Sequence, residues 1–498
     1  MLFNTMDFIV FFPTVAFIYF VIPQKIKHIW LLLASYYFYM CWNAKYALLL
    51  LFSTAITYIS GLLIDFIDHK DWDNTKIEKY KKFCIAGSFG INLMILFLYK
   101  YFDFFIENIN KLLIHFNMEI IDPGFSLLLP VGISFYIFQA LSYTMDVYRK
   151  DIYAEKNFLR YALFVSFFPQ LVAGPIERSK NLLRQMNKMH QFDYTRMRDG
   201  LLIVLAGYFQ KLVIADRVAI FIDTIYGNIT SYPGLYLVVA SVLFAVQIYC
   251  DFSGYSLIAI GTAKIMGFTL MDNFQCPYMA RSVSDFWRRW HISLTSWFRD
   301  YLYIPLGGNR KGTTRKYLNI MIVFLVSGLW HGAEWTFIIW GGLNGLFQVI
   351  GSLLKPVKEK VAQIFHINTN SMGHHILQIV VTFILVDITW IFFRADNLKS
   401  ALQVFEGIFS IWNPWIFFDG SLYTLGLSQK QFQVLIISIV ILAVSDILVS
   451  RKVDLLAIIT KQDLWFRWLF YIVGIMFVLI FGVWGAGYAA EAFVYFQF

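Results

Sequence analysis

Long apolar runs separated by short polar loops dominate the chain. A helix needs about 20 apolar residues to cross the hydrocarbon core of a bilayer. Runs close to that length predict spans at residues 6–23, 29–44, 46–64, 83–102, 125–145, 200–222, 233–250, 317–333, 335–353, 373–393, 432–449 and 466–486. We expect helices because exposed strand edges cannot satisfy their backbone groups in lipid. The pattern predicts an all-α polytopic membrane protein of about 11–13 transmembrane helices.

Two stretches do not fit simple crossings. The apolar run 161–175 lies between charged segments on both sides, so one crossing cannot return the chain to the side it left. Pro169, Gly174 and Pro175 favour a re-entrant segment there, which is tolerated where protein or a water-filled cavity lines it. Residues 251–316 are expected to behave similarly, and residues 281–316, rich in basic and aromatic side chains, are expected to lie at the cytoplasmic membrane face. We expect such segments to surround a central tunnel.

Composition supports the membrane assignment, since 59% of residues are apolar and 15% are charged. No polar linker or low-complexity tract divides the chain, so residues 1–498 are predicted to form one transmembrane domain. The net charge of +9 suits anionic membrane lipids better than nucleic acid. The four cysteines, Cys41, Cys84, Cys250 and Cys276, have neither CxxC spacing nor Cys/His clustering, so we expect no disulfide framework and no metal.

Basic residues in the short loops predict the orientation. Lysines at 25 and 27, in the 70–82 loop, at 355–360 and the Arg451–Lys452 pair should be cytoplasmic. Counting from them places both termini outside. The first apolar run has no Lys or Arg before Lys25, so it lacks the basic region of a signal peptide and is expected to remain as a helix.

The segment SGLWHGAEW, residues 327–335, carries the first candidate for chemistry. His331 lies between glycines at the junction of two apolar spans, and an ionisable residue at such a place is a functional candidate. Gly328 and Gly332 permit close backbone approach, while Trp330 can wall a narrow cavity. An imidazole can remove a hydroxyl proton or carry an acyl group. The alternative is a structural histidine whose nitrogens are satisfied by neighbouring helices.

The second candidate for chemistry lies in residues 285–312, the segment DFWRRWHISLTSWFRDYLYIPLGGNRKG. On a helix, His291 would share a face with Arg288 and with Trp287, three and four residues earlier. Arg288 and Arg289 are candidates for binding the phosphates of an anionic cosubstrate, and Asn309 in LGGNRKG is a further substrate-binding candidate. The alternative is a basic, aromatic membrane-surface helix without a ligand.

Two other features are ambiguous. Four polar residues lie within the apolar span that begins after Pro130 and Gly132: Gln139, Ser142, Tyr143 and Asp146. They suit either the lining of a cavity or hydrogen bonds between helices. Asp251 is an acid near a predicted span end, either functional or interfacial. No GxSxG, HExxH or Walker A sequence supports a serine hydrolase, zinc protease or P-loop enzyme.

At these motifs the chain resembles the membrane-bound O-acyltransferase (MBOAT) family, specifically its bacterial branch of alginate and peptidoglycan O-acetyltransferases. The resemblance rests on LLLPVGISFYIFQALSYTMDVYR, FPQLVAGPIER, YCDFSGYSLIAIG, RSVSDFWRRWHISLTSWFRDYLYIPLGGNR, SGLWHGAEWTFIIWGGLNG, ITWIFFRAD and the terminal VYFQF, in that order. It implies that the WHG histidine, His331, is catalytic and that the RRWH histidine, His291, takes part in catalysis.

The resemblance also implies the setting of the reaction. It implies an acyl donor on the cytoplasmic side, acetyl-CoA, with no permanently bound cofactor. The acceptor is expected to be an extracytoplasmic polysaccharide hydroxyl or a hydroxyl on an SGNH-type transferase partner. The location implied is the cytoplasmic (inner) membrane of a bacterium, and whether His331 is a base or a nucleophile stays open.

The sequence leaves three alternative functions open. Teichoic acid D-alanyl transfer belongs to another branch of the same family. A transporter or lipid-linked-sugar flippase shares the many spans and the ionisable residue in the membrane. It would predict an internal repeat, but the WHG and RRWH blocks have no counterparts in residues 1–250. A scaffold that only recruits a soluble transferase is a weaker third possibility.

Overall fold

The computed structural model describes residues 1–125, 127–172, 174–188 and 190–484. Regular structure within these ranges is helical throughout, which confirms the predicted all-α class. The α-helices are α1 (Met6–Val21), α2 (Lys27–Met40), α3 (Ala44–Asp68), α4 (Asn74–Leu96), α5 (Phe102–His115), α6 (Ile133–Tyr148), α7 (Phe158–Ser166), α8 (Phe168–Leu171), α9 (Tyr194–Tyr208), α10 (Asp216–Tyr226), α11 (Leu235–Met266), α12 (Val283–Arg289), α13 (Ile292–Phe298), α14 (Thr313–His331), α15 (Trp335–Leu353), α16 (Lys355–Ile364), α17 (Met372–Arg394), α18 (Leu398–Ser410), α19 (Gln429–Ser450), α20 (Leu455–Thr460) and α21 (Leu464–Phe481). Wider π-helical turns occur at Phe97–Tyr101, Ser179–Leu183, Phe209–Ala215 and Arg299–Tyr303. The terminal VYFQF block lies outside the described residues.

Seven helical segments of the described chain are long and apolar enough to cross a membrane. They are Ala44–Asp68, Asn74–His115, Leu235–Met266, Trp335–Leu353, Met372–Arg394, Gln429–Ser450 and Leu464–Phe481. In α19 and α21, only 17% and 6% of the residues in the most apolar 18-residue stretch are buried within the protein. Such extensive apolar exposure is unfavourable in water and favourable in lipid. The protein is therefore a multi-pass membrane protein.

Several predicted spans have different bounds in the structure, and two of these differences bear on the candidate residues. The span predicted at 125–145 becomes helical only at Ile133, because Gly132 has φ +73° and ends the preceding irregular segment. The span predicted at 233–250 continues to Met266, so residues 251–266 are helical and not re-entrant. Asp251 consequently lies inside α11 and not near a span end, and it is buried instead of interfacial.

The described residues form two compact units. Unit 1 contains Met1–Val204 and Ile258–Met271, and α6 lies at its centre with nearly every side chain buried. Gln139 donates to the Phe164 carbonyl (2.6 Å) and accepts from Gln170 (2.9 Å). Asp146 accepts from the Ser179 hydroxyl. Gln139 and Asp146 thus form hydrogen bonds between segments of the unit.

The apolar run 161–175 contains two short helices in unit 1. The nine-residue α7 and the four-residue α8 are both too short to cross a bilayer. The chain bends between them at Phe167, and Ser35 accepts a hydrogen bond from the Phe168 backbone N–H (3.1 Å). Two short helices in place of one long one are compatible with the predicted re-entrant segment, which stays a prediction.

Unit 2 contains Leu205–Leu257 and the described residues from Asp272 onward. A buried ion cluster joins the π-helical turn at 209–215 to α10 and α11. Lys211 Nζ lies 2.7 Å from Asp216 and 2.6 Å from Asp251, and the three side chains are at most 2% exposed. The pairing explains how α11 continues through Asp251, since a buried carboxylate requires a partner of opposite charge.

Helices α14 and α15 form a tight antiparallel hairpin in unit 2. A Cβ added to Gly341 would lie 2.2 Å from the Phe324 carbonyl oxygen, and one added to Gly328 would lie 2.3 Å from the Phe337 carbonyl oxygen. The backbones therefore approach more closely than any other residue allows, as small residues permit between membrane helices.

We expect Gly341→Ala to destabilise the protein by about 1–3 kcal/mol, because backbone atoms cannot yield to the new methyl group. Gly342→Ala is the matched control, since its Cβ would meet only Leu325 Cδ2 at 3.6 Å. Thermal unfolding of the purified protein in detergent measures both. Equal melting temperatures for the two variants would contradict the close packing of the hairpin.

Candidate active site

His331 is the last residue of α14, so the predicted hairpin carries it at its turn. Its side chain is buried, at 4% exposure. Rings of Trp330 and Trp340 pack edge to face against the imidazole, each at a centroid distance of 4.9 Å, and Phe393 of α17 lies at 5.6 Å. The histidine thus lies in an aromatic surrounding that excludes water.

His291 lies close to His331, with 6.4 Å between the ring centroids. Trp330 contacts both imidazoles, at 6.0 Å from His291. Phe252 of α11 packs against the other side of His291 at 4.5 Å. Residues predicted from two separate motifs, His291 from one and Trp330 and His331 from the other, therefore meet in one place.

The backbone at His291 is not helical, unlike the helix on which His291, Arg288 and Trp287 would share a face. Helix α12 ends at Arg289, α13 begins at Ile292, and His291 adopts the left-handed conformation with φ +44°. The expectation that His291 shares a helical face with Arg288 and Trp287 is therefore wrong. A left-handed non-glycine residue costs about 1–2 kcal/mol, so its neighbours must stabilise it.

Asn273 provides that stabilisation. Its backbone carbonyl accepts from the Ile292 N–H (3.0 Å), and its side-chain Oδ1 accepts from the Ser293 hydroxyl (2.9 Å) and the Ser293 backbone N–H (3.4 Å). The same Oδ1 lies 3.0 Å from His291 Nδ1, while Nδ2 donates to Ser256 (3.1 Å). Asn273 holds both the backbone and the ring of His291.

These bonds also determine which ring nitrogen carries the proton. A backbone N–H can only donate, so the atom of Asn273 facing Ser293 is the oxygen. Nδ1 of His291 must then donate to it, which leaves Nε2 as the unprotonated acceptor. His291 lies outside the seven apolar helices, and burial lowers its pKa to about 3. It is therefore neutral at physiological pH.

The remaining candidates are not part of this histidine pair. Arg288 is exposed, Arg289 forms an ion pair with Asp285 (3.2 Å), and Asn309 is exposed in the turn after the π-helical segment. Arg288 and Asn309 thus lie on accessible surface of unit 2, and Arg289 is half-buried.

Sequence reasoning missed Asn273, because nothing in the surrounding MDNFQ distinguishes it. It also assigned no role to Trp340, Trp390 and Phe393. A signal existed for these three aromatic residues, since they belong to the SGLWHGAEWTFIIW and ITWIFFRAD segments.

Comparison with known proteins identifies the family of the chain. The model of the membrane-bound O-acyltransferase family matches residues 153–385, which contain His291 and His331. The probable alginate O-acetylase AlgI of Pseudomonas putida is 37% identical over 405 residues, covering 80% of this chain and 78% of that protein. The peptidoglycan O-acetyltransferase of Helicobacter pylori is 37% identical over 441 residues, covering 82% and 80%.

A more distant similarity is to the teichoic acid D-alanyltransferase of Bacillus subtilis, 25% identical over 281 residues, covering 52% of this chain and 67% of that protein. Identity of 37% across about four fifths of both chains is sufficient to assign the family. The chain belongs to the membrane-bound O-acyltransferase family and is an O-acyltransferase.

Proposed function

We propose that the protein transfers an acetyl group from a cytoplasmic coenzyme A thioester to an extracytoplasmic hydroxyl, on a cell-surface polysaccharide or on a partner transferase. The observation that carries the proposal is the buried pair His331 and His291, 6.4 Å apart within aromatic walls. Relatives named for alginate and peptidoglycan O-acetylation support the acetyl group and the polysaccharide acceptor.

His331 is proposed as the general base. The acceptor hydroxyl oxygen attacks the thioester carbonyl carbon while its proton passes to His331. The carbon–sulfur bond then breaks with its electrons moving to sulfur, and His331 returns the proton, so that an ester and a free thiol result. His291, neutral and held by Asn273, presents Nε2 as an acceptor that orients a reacting group. The aromatic surrounding limits hydrolysis of the thioester.

The basic loops support the proposed sidedness of the reaction. Lysines and arginines concentrated in short loops predict a cytoplasmic face, and the exposed Arg288 belongs to the basic segment 281–316. Cations on that face suit the phosphates of coenzyme A. The acceptor side would face outward from the inner membrane of a bacterium, through the predicted tunnel. An SGNH-type partner would carry the acetyl group onward to the polymer.

D-alanyl transfer is the less favoured alternative. The teichoic acid relative matches only 52% of this chain at 25% identity, against 80% or more at 37% for the two acetylating relatives.

The proposal is tested with uniformly oriented proteoliposomes. Carbon-13-labelled acetyl-CoA is supplied on one side and acetyl-free alginate or peptidoglycan fragments on the other, and base-releasable labelled acetate on the acceptor is measured. We expect transfer only when the thioester is on the lysine-rich face. Equal rates from both faces would contradict the sidedness, and transfer of D-alanine in place of acetate would contradict the acyl group.

The neutral state of His291 gives a pH prediction. Asn273→Asp places a negative charge beside Nδ1–H, which favours the imidazolium and raises the pKa of His291. Protonation then removes the acceptor at Nε2, so we expect the variant's kcat to fall as pH is lowered over a range where the wild-type rate stays constant. Ser256→Ala, which removes only the acceptor of Asn273 Nδ2, is the control and should keep the wild-type profile. Identical profiles for Asn273→Asp and the wild type would contradict the role of Asn273.

A further inference from the structure

Three tryptophans form a continuous buried cluster beside His331. Trp290, Trp340 and Trp390 are at most 1% exposed. Trp390 lies between the other two, with centroids 5.0 Å from Trp290 and 5.9 Å from Trp340, and it stacks on Trp340 at 22°. Trp340 in turn packs directly against the His331 imidazole.

The indole N–H groups of these three residues are buried, and none has a hydrogen-bond acceptor among the described residues of the protein. A buried donor without an acceptor costs about 1–3 kcal/mol, and phenylalanine at the same position would avoid that cost. The neighbouring Trp287 differs, because its N–H donates to Asn344 Oδ1 at 3.1 Å. Three such donors in one cluster indicate an acceptor that arrives with a substrate.

We propose that Trp340 and Trp390 bind the carbonyl oxygen of the acyl group through their indole N–H groups and stabilise it when it becomes an oxyanion. The inference rests on the proposed acyl transfer from a thioester to a hydroxyl at His331. In that step the new carbon–oxygen bond moves the carbonyl electron pair onto oxygen. Collapse of the intermediate returns that pair, and the carbon–sulfur bonding electrons leave with sulfur.

Because the cluster lies beside His331, these donors would stabilise the transition state of acyl transfer more than the bound substrate. Hydrogen bonds to an ionised acceptor are about twice as strong as those to a neutral one. The indoles therefore interact more strongly with the oxyanion than with the ground-state carbonyl, which lowers the barrier for the chemical step. A water-poor aromatic surrounding increases the difference, since no solvent competes for the oxygen. The effect should appear in kcat and not in KM for the thioester.

The test replaces Trp340 by 3-benzothienylalanine, which keeps the ring shape but substitutes sulfur for the N–H. We expect kcat to fall about 100-fold, with KM for acetyl-CoA and the melting temperature close to the wild-type values. The same replacement at Trp390 should also lower kcat. Trp287 is the matched control, because its N–H is already engaged by Asn344. Replacement there should lower the melting temperature and leave kcat near the wild-type value.

Wild-type kcat with the analogue at position 340 and at position 390 would overturn the inference. So would an equal loss of kcat at position 287, because the effect would then be structural. His331→Gln is measured in parallel. If it abolishes transfer while the analogues have no effect, only the oxyanion inference fails; if it retains transfer, the proposed function of His331 fails whatever the tryptophans do.

Discussion

Replacing His331 with glutamine is expected to reduce acyl transfer by about 1,000-fold, the middle of the range of about 100- to 10,000-fold for a general acid–base group. Glutamine fills most of the imidazole's volume and keeps a polar nitrogen, so the walls formed by Trp330, Trp340 and Phe393 should remain in place. It cannot take up a hydroxyl proton near neutral pH. The measurement is the initial rate of labelled acetate transfer by purified protein in lipid, with the melting temperature as the check on folding.

His115→Gln is the matched control, because His115 ends α5 with an exposed side chain and lies outside the site. It should retain the wild-type rate. A wild-type rate for His331→Gln in a folded protein would contradict the catalytic assignment. A labelled acyl group trapped on His331 itself would instead assign the nucleophilic role.

The second large effect is expected for the thermal stability of the Lys211→Met variant. Lys211→Met leaves Asp216 and Asp251 buried without their cation, and breaking a buried pair in this way costs about 3–5 kcal/mol. We expect a strongly lowered melting temperature, or loss of folded protein from the membrane. Differential scanning fluorimetry in detergent measures the shift.

Adding Asp216→Asn and Asp251→Asn to Lys211→Met removes the uncompensated charges, so the triple variant should recover most of the lost stability. The surface pair Lys82 and Glu78, at side-chain exposures of 65% and 46%, supplies the control. Lys82→Met should have no measurable effect, since exposed pairs contribute about 0–1 kcal/mol. A Lys211→Met variant as stable as the wild type would show that the cluster does not hold α10 and α11 together.

Hydropathy predicts the membrane helices well where apolar runs end at polar residues. The span predicted at 335–353 is α15, and the span predicted at 373–393 is α17, which covers Met372–Arg394. Hydropathy misplaces the end of a helix where a charged residue is neutralised by a partner distant in the sequence. Asp251 appeared to mark a span end, but Lys211, 40 residues earlier, neutralises it and α11 continues.

In the candidate site, too, the motifs are visible in the sequence and the contacts between distant residues are not. An isolated histidine between glycines is visible in the sequence, and so is the RRWH motif, so His331 and His291 could be selected. The helix break at His291 could not be predicted from the sequence, because no glycine or proline marks it. The left-handed conformation of His291 depends on Asn273, 18 residues earlier. The three tryptophan donors could not be predicted either, since only packing shows that an indole N–H lacks an acceptor among the residues that the structure describes.

We propose one buried site, containing His331 and His291, that moves an acyl group from a thioester to a hydroxyl. The most direct measurement incubates purified protein in lipid with carbon-13-labelled acetyl-CoA and a hydroxyl acceptor, with and without the SGNH-type partner, and detects labelled, base-labile ester by mass spectrometry. The account predicts ester formation by the wild type and its loss in His331→Gln. Failure of the wild type to form ester under either condition, or undiminished ester formation by His331→Gln, would contradict it.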